Sequence, residues 1–278
     1  MGQALFLQAC QNKIQGSLVP APKKTQEPNQ TQPGGGPEKK EAQPESTSTP
    51  TSGGNGPLKG LLVTIDVGHA KSGGDTSAVS GNINEHTQVR KQSEIIKTNL
   101  LNLGATVLVH AYDTATLSML AERGRKAAGS RCHISLHHNA FSNPATQGTE
   151  VLVDSRRGMK ANDMKLAGFV QSEMVRAIWG LEPNSGSSKD RGLKDQSLSV
   201  LNNTPKSVEA AILTEAYFIS GTGASQNFEE WSSKSAAAIA KGVEKWFLSQ
   251  NSMSLAEGPL VYTQFSRHPE DELLYANH

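Results

Sequence analysis

The chain has 278 residues, of which 36% are hydrophobic and 19% charged, with a formal net charge of +1. This balance gives no support for nucleic acid or an anionic membrane as a main partner. No apolar run reaches the roughly 18 residues a membrane-spanning helix needs, so no membrane span is expected.

Composition divides the chain into three parts. Residues 1–58 read as a disordered arm: eight of the thirteen prolines lie in residues 19–57, and no aromatic residue occurs between Phe6 and Tyr112. Such a segment cannot bury enough apolar surface to offset its ordering entropy. Near its start, Leu7-Gln8-Ala9-Cys10 loosely resembles a lipoprotein cleavage box. No basic stretch precedes it and the apolar run is short, so there is no convincing signal peptide. Residues 59–249 carry regular apolar patterning over about one domain's length, and residues 250–278 form a polar tail. Cys10 and Cys132 are not expected to pair, and Cys132 reads as a small core residue.

Along the domain, residues 61–66 predict a buried strand, too continuously apolar to alternate. Residues 84–103 predict a helix, with Val89, Ile96 and Leu100 at helical spacing and Gly104 as its stop. A strand over 105–111, a helix over 115–128, and strands over 132–137 and 148–153 follow. Residues 160–179 predict a helix with Leu166, Val170, Met174 and Ile178 four apart, ended by Gly180. Residues 182–196 read as a polar loop, 208–215 as a strand and 232–247 as a closing helix. Strands alternating with helices predict an α/β fold with a mostly parallel sheet, whose ligands sit beyond the carboxyl ends of the strands.

Three chemistry-bearing residues fall at such ends: His69, His137 and Glu215. Glu85 opens a helix, where the macrodipole favours a carboxylate, and His86 beside it is a rival ligand. Two imidazoles and a carboxylate can hold one zinc ion and leave a position open, and a further carboxylate can move protons. That is the inventory of a zinc hydrolase. His137 and His138 point to opposite sides of a strand, so one of them reaches a site. Asn139 shares the His137 face and can orient a site by hydrogen bonding. His133 lies at the far end of that face and reads as structural. Gly68 lets the chain turn before His69, and Asp66 either supports His69 or fixes the loop. Arg123 and Arg125 read as helix-surface charges.

The stretches Ile65-Asp66-Val67-Gly68-His69, Glu85, Ser135-Leu136-His137-His138-Asn139-Ala140, Gly148-Thr149-Glu150-Val151, Asp190-Arg191-Gly192-Leu193-Lys194, Ser199-Val200-Leu201 and Ile212 to Ser220 occur in this order. With them the chain resembles the zinc-dependent N-acetylmuramoyl-L-alanine amidases of the amidase-3 family, over residues 61–248. The resemblance implies a twisted, mostly parallel sheet flanked by helices, phosphorylase/hydrolase-like in layout. It implies Zn2+ as cofactor on His69, Glu85 and His137, Glu215 as catalytic acid/base, and peptidoglycan as partner. It ranks His86 below Glu85. Val67, Ala70, Lys71-Ser72-Gly73-Gly74 and Gly221 depart from the family pattern. No helical insert of the kind regulated members carry stands out, so a self-inhibited state is not expected.

Arg191 and Lys194, on the polar loop, either pair with carboxylates of the stem peptide or are solvated charges. Such an enzyme acts on the cell wall, outside the cell or in the periplasm. The arm then reads as a tether to an anchor or particle, which suits a phage lysin, a delivered effector or a lipoprotein with a weak signal. Two other readings stand beside this one: a zinc peptidase that trims the stem peptide, and a wall-binding module with a dead site.

Overall fold

The computed structural model describes residues 45–47, 49–251, 262–268 and 271. The lipoprotein-like run at residues 4–10 and most of the arm expected to be disordered lie outside the described residues. Strands β1 (Glu45–Thr47) and β2 (Thr51–Ser52) precede β3 (Leu62–Val67). The loop after β3 carries β4 (Ser72–Gly73), β5 (Val79–Ser80) and β6 (Ile83–Asn84). Then come helix α1 (Glu85–Asn102), β7 (Thr106–Tyr112), β8 (Thr114–Ala115), α2 (Leu120–Arg125), β9 (Cys132–Asn139) and β10 (Thr149–Val153). Helix α3 (Lys160–Trp179), β11 (Asp190–Asp195), α4 (Ser199–Asn202), β12 (Ala210–Phe218) and α5 (Ala224–Asn251) complete the order.

The main sheet runs β1-β7-β3-β9-β12-β10-β11, with β2 also paired to β7. Strands β7, β3, β9 and β12 are parallel neighbours. Strand β10 is antiparallel to β12 and parallel to β11. The parallel strands are buried on both faces, which is why β3 and β12 read as continuous apolar runs.

Alternation along β12 separates the two faces. Ala210 and Ile212 join the large core with Leu166, Val170 and Met174 of α3 and Ile239 and Val243 of α5. Ala211 and Leu213 join a small cluster with Leu152 of β10 and Val200 and Leu201 of α4. Helices α3 and α5 approach closely at Gly242, where a Cβ would lie 2.7 Å from Val170 Cα.

Three expectations need correction, and part of the polar tail gains a place on the domain. The arm placed at residues 1–58 includes β1 and β2, which pair antiparallel with β7 and cover an otherwise open sheet edge. The helix expected over 115–128 is shorter, because β8 pairs with β4 before it begins. The expected polar loop over 182–196 contains a strand, β11. The polar tail packs in part on the domain: Tyr262 is buried, and the Ser266 amide donates to Leu193 O at 2.8 Å.

Candidate active site

Register brings the site together. Val67 of β3 pairs with Leu136 of β9, and His137 of β9 pairs with Glu215 of β12. Two residues past β3, His69 adopts φ 58°, a left-handed backbone uncommon for a residue with a side chain. The sharp turn therefore falls on His69 itself. Gly68 serves another purpose: a Cβ there would lie 2.3 Å from Leu136 O and 2.6 Å from His137 Cε1. Its lack of a side chain lets the His137 ring lie against the end of β3.

His69 Nε2 lies 3.1 Å from Glu85 Oε2, and His137 Nδ1 lies 3.1 Å from Glu85 Oε1. The facing ligand atoms of His69, Glu85 and His137 all fall within 4.8 Å of one another, and all three residues are buried. Asn84 caps α1 by accepting the Thr87 amide, which fixes Glu85 in the first turn. The amides of Ala78 and His138 donate to the Glu85 carboxylate. The contact of His69 Nε2 with Glu85 is within ion-pair range but out of hydrogen-bond alignment, leaving a buried ring nitrogen without a hydrogen-bond partner. A metal ion between these groups would satisfy it, and two imidazoles with one carboxylate are a zinc-type donor set.

The other nitrogen of His69 carries the second half of the arrangement. Nδ1 lies 2.9 Å from Asp75 Oδ1, the carboxylate–histidine pairing that orients metal-binding imidazoles. Arg123 Nη1 donates to Asp75 Oδ2 at 2.7 Å, and its Nε and Nη2 grip both oxygens of Asp66 at 2.9 Å. Ser135 Oγ also donates to Asp66. Arg123 is therefore a buried clamp, not the helix-surface charge expected, and Asp66 acts through it rather than on His69. Burial opposes charge on His69, but Glu85 and Asp75 outweigh it and raise its pKa to about 9. Burial likewise opposes charge on Asp66, yet Arg123 lowers its pKa to about 2.

The rival histidines are placed elsewhere. His86 Nδ1 meets Gly68 O at 2.9 Å. His138 stacks on Tyr217 with ring centroids 4.2 Å apart. His133 is buried, and burial lowers its pKa to about 4.

Glu215 is 3% exposed and pairs across the sheet with His137 on one side and Glu150 on the other. These register partners share one face of the sheet. Asn139, two residues past His137, donates from Nδ2 to Glu150 Oε1 at 2.6 Å. Arg191 Nε donates to Glu150 Oε2 at 2.8 Å. Arg191 and Lys194 thus belong to a buried network on β11, where a polar loop was expected. Both also reach Asp271 of the C-terminal segment. At the departure from the family pattern, a Cβ on Gly221 would lie 2.4 Å from Gln147 Nε2. That Gln147 amide bonds both backbone polar groups of Phe218 where β12 ends.

A mostly parallel α/β sheet, with a buried His-Glu-His cluster able to hold a metal ion and a buried carboxylate at its strand ends, is the layout of a hydrolase. The family model for N-acetylmuramoyl-L-alanine amidase, Amidase_3, matches residues 63–245, and the chain belongs to that family. It is an amidase that cleaves the bond between N-acetylmuramic acid and L-alanine in peptidoglycan. An N-acetylmuramoyl-L-alanine amidase from Clostridium difficile 630 is 25% identical at TM-score 0.55, covering 68% of this chain and 98% of its own. The catalytic domain of an endolysin targeting Clostridia difficile is also 25% identical, at TM-score 0.53, covering 66% of this chain and 97% of its own. The amidase of Mycobacterium smegmatis shares the fold at 19% identity and TM-score 0.57, covering 69% and 99%. No curated protein sequence matches the chain.

Proposed function

We propose that this amidase is zinc-dependent, with His69, Glu85 and His137 as the metal ligands and Glu215 as the acid–base. The observation that carries the reading is the buried convergence of the three ligand side chains, with Asp75 behind His69. Zinc held there supplies Lewis acidity toward the amide carbonyl and makes water a nucleophile at neutral pH. Glu215 takes the proton of the attacking water at its carboxylate. It then delivers that proton to the nitrogen of L-alanine, because an amide anion is too poor a leaving group to depart unprotonated. Such proton transfer contributes roughly a hundred- to ten-thousand-fold. The Asn139–Glu150–Arg191 network borders this carboxylate and positions the peptide side of the substrate.

Variants at the two positions test the roles. Glu215→Ala keeps stoichiometric zinc and loses turnover by roughly a hundredfold or more. His137→Ala loses both zinc and turnover. Near-normal activity in Glu215→Ala contradicts the assigned role. The Pro-rich arm before β1 is read as a tether that holds the enzyme to an anchor or particle near the wall. Among the described residues no helix is long and apolar enough to cross a membrane.

A further inference from the structure

We propose that Arg123 is a positioning residue for the metal site: through Asp75 it fixes His69, and the loop that follows His69, in the shape that holds the ion. This rests on the zinc reading and extends it to a side chain of another element, one whose effect on the metal passes through Asp75.

The guanidinium grips the chain on both sides of His69. Before it, Nε and Nη2 donate to the two oxygens of Asp66, and Nη2 also donates to Val67 O at 2.8 Å. After it, Nη1 donates to Asp75. His69 sits between these anchors at φ 58°, a backbone that costs energy in a residue with a Cβ and persists where its surroundings impose it.

Asp75 has one oxygen for each partner. Oδ2 accepts from Arg123, and Oδ1 meets His69 Nδ1. With Oδ2 held, the carboxylate does not turn, and Oδ1 stays in line with the imidazole. Backbone bonds tie down the rest of the loop: Ala70 donates to Asp75 O, Ser72 to Asp113 O and Asp75 to Ala115 O. A Cβ on Gly73 would lie 2.2 Å from Ala115 O, so the loop runs close against β8. All of these bonds are made by protein groups, so the loop takes its shape before an ion arrives.

Arg123 is itself fixed by its helix. Its neighbour Gly124 brings α2 so close to α4 that a Cβ would lie 2.1 Å from Val200 O. The Tyr112 ring lies 4.8 Å from the guanidinium carbon. The side chains of Arg123 and Asp66 are each 1% exposed and that of Asp75 is 6% exposed. Stability alone is a weak reason for such a cluster, because well-packed apolar groups often hold a fold as well as buried ion pairs do. What the charges add is direction. A planar fork binds two carboxylates and a carbonyl at once, and a lysine ammonium does not reproduce that.

The test measures zinc affinity of the full chain by competition with a chelator, with no substrate present. Arg123→Lys keeps the charge and lowers affinity about tenfold. In the Asp75→Asn background the same change lowers it less than about threefold, because both losses run through one carboxylate. Cobalt(II) in the site reports this spectroscopically: its visible bands move in Arg123→Lys and no further in the double variant. Wild-type affinity in Arg123→Lys, or an equal loss in both backgrounds, overturns the role of Arg123 and leaves the zinc reading intact. A wild type that binds no zinc overturns the zinc reading and this proposal with it. Where Arg123→Lys does not fold, hydrogen exchange of wild type decides. The Ala70 amide is expected to exchange equally slowly with zinc and after chelation; protection that comes only with zinc overturns the proposal.

Discussion

Asp75 determines how His69 presents itself. Its carboxylate accepts a hydrogen bond from Nδ1, which leaves Nε2 as the nitrogen facing Glu85. Asp75→Asn is expected to lower zinc affinity roughly ten- to a hundredfold, read by competition with a chelator, and to recover activity in excess zinc. Unchanged affinity would show that Asp75 only shapes the loop. Asp66 offers a separate test away from the metal. Its folded pKa of about 2 lies below the ordinary 3.8, so the stability it contributes is complete above about pH 4 and lost as pH falls through 2. The size is on the order of 2 kcal/mol for a group this buried. Urea unfolding of wild type and Asp66→Asn should converge between pH 4 and 2; a constant gap would contradict the linkage. His69, His137 and Glu215 stood out in the sequence because each ends a strand-like run, whereas Glu85 only opens a helix and was set above His86 by the family resemblance. Asp75 and Arg123 did not stand out. Their contact spans 48 residues, and an arginine on a short helix looks the same whether it faces water or two buried carboxylates.

Elements were legible where apolar periodicity set them. Helix α3 spans the expected residues because Leu166, Val170, Met174 and Ile178 mark its buried side. Strand β11 hid because Asp190-Arg191-Gly192-Leu193-Lys194-Asp195 offers one bulky apolar residue, and its polar side chains are satisfied by partners distant in sequence. Strands β1 and β2 hid for a related reason. Their role is to cover the β7 edge through backbone pairing, which imposes little on side-chain chemistry. Packing between α3 and α5 gives the test at this scale. Gly242→Val sets a branched side chain against the Val170 backbone, and should cost about 1–3 kcal/mol in urea unfolding. Because the contact lies in the helix layer and not at the strand ends, kcat of the folded variant should match wild type. A loss of kcat would mean that helix packing reaches the site.

At the scale of the molecule, the sheet does two jobs with its two faces. The large helix layer of α1, α3 and α5 supplies the main core, while the other face carries His137, Glu215, Asn139 and Glu150 in neighbouring register. A near-neutral chain has no electrostatic reason to seek a polyanion. The central claim is that the site at these strand ends, loaded with zinc, hydrolyses the amide to L-alanine. The most direct measurement is digestion of purified peptidoglycan with zinc-loaded and chelator-stripped protein, with the fragments read by mass spectrometry. The account predicts zinc-dependent release of stem peptides that begin with a free L-alanine amine, and glycan left intact. Cleavage within the stem peptide, or equal release by the stripped protein, would contradict it.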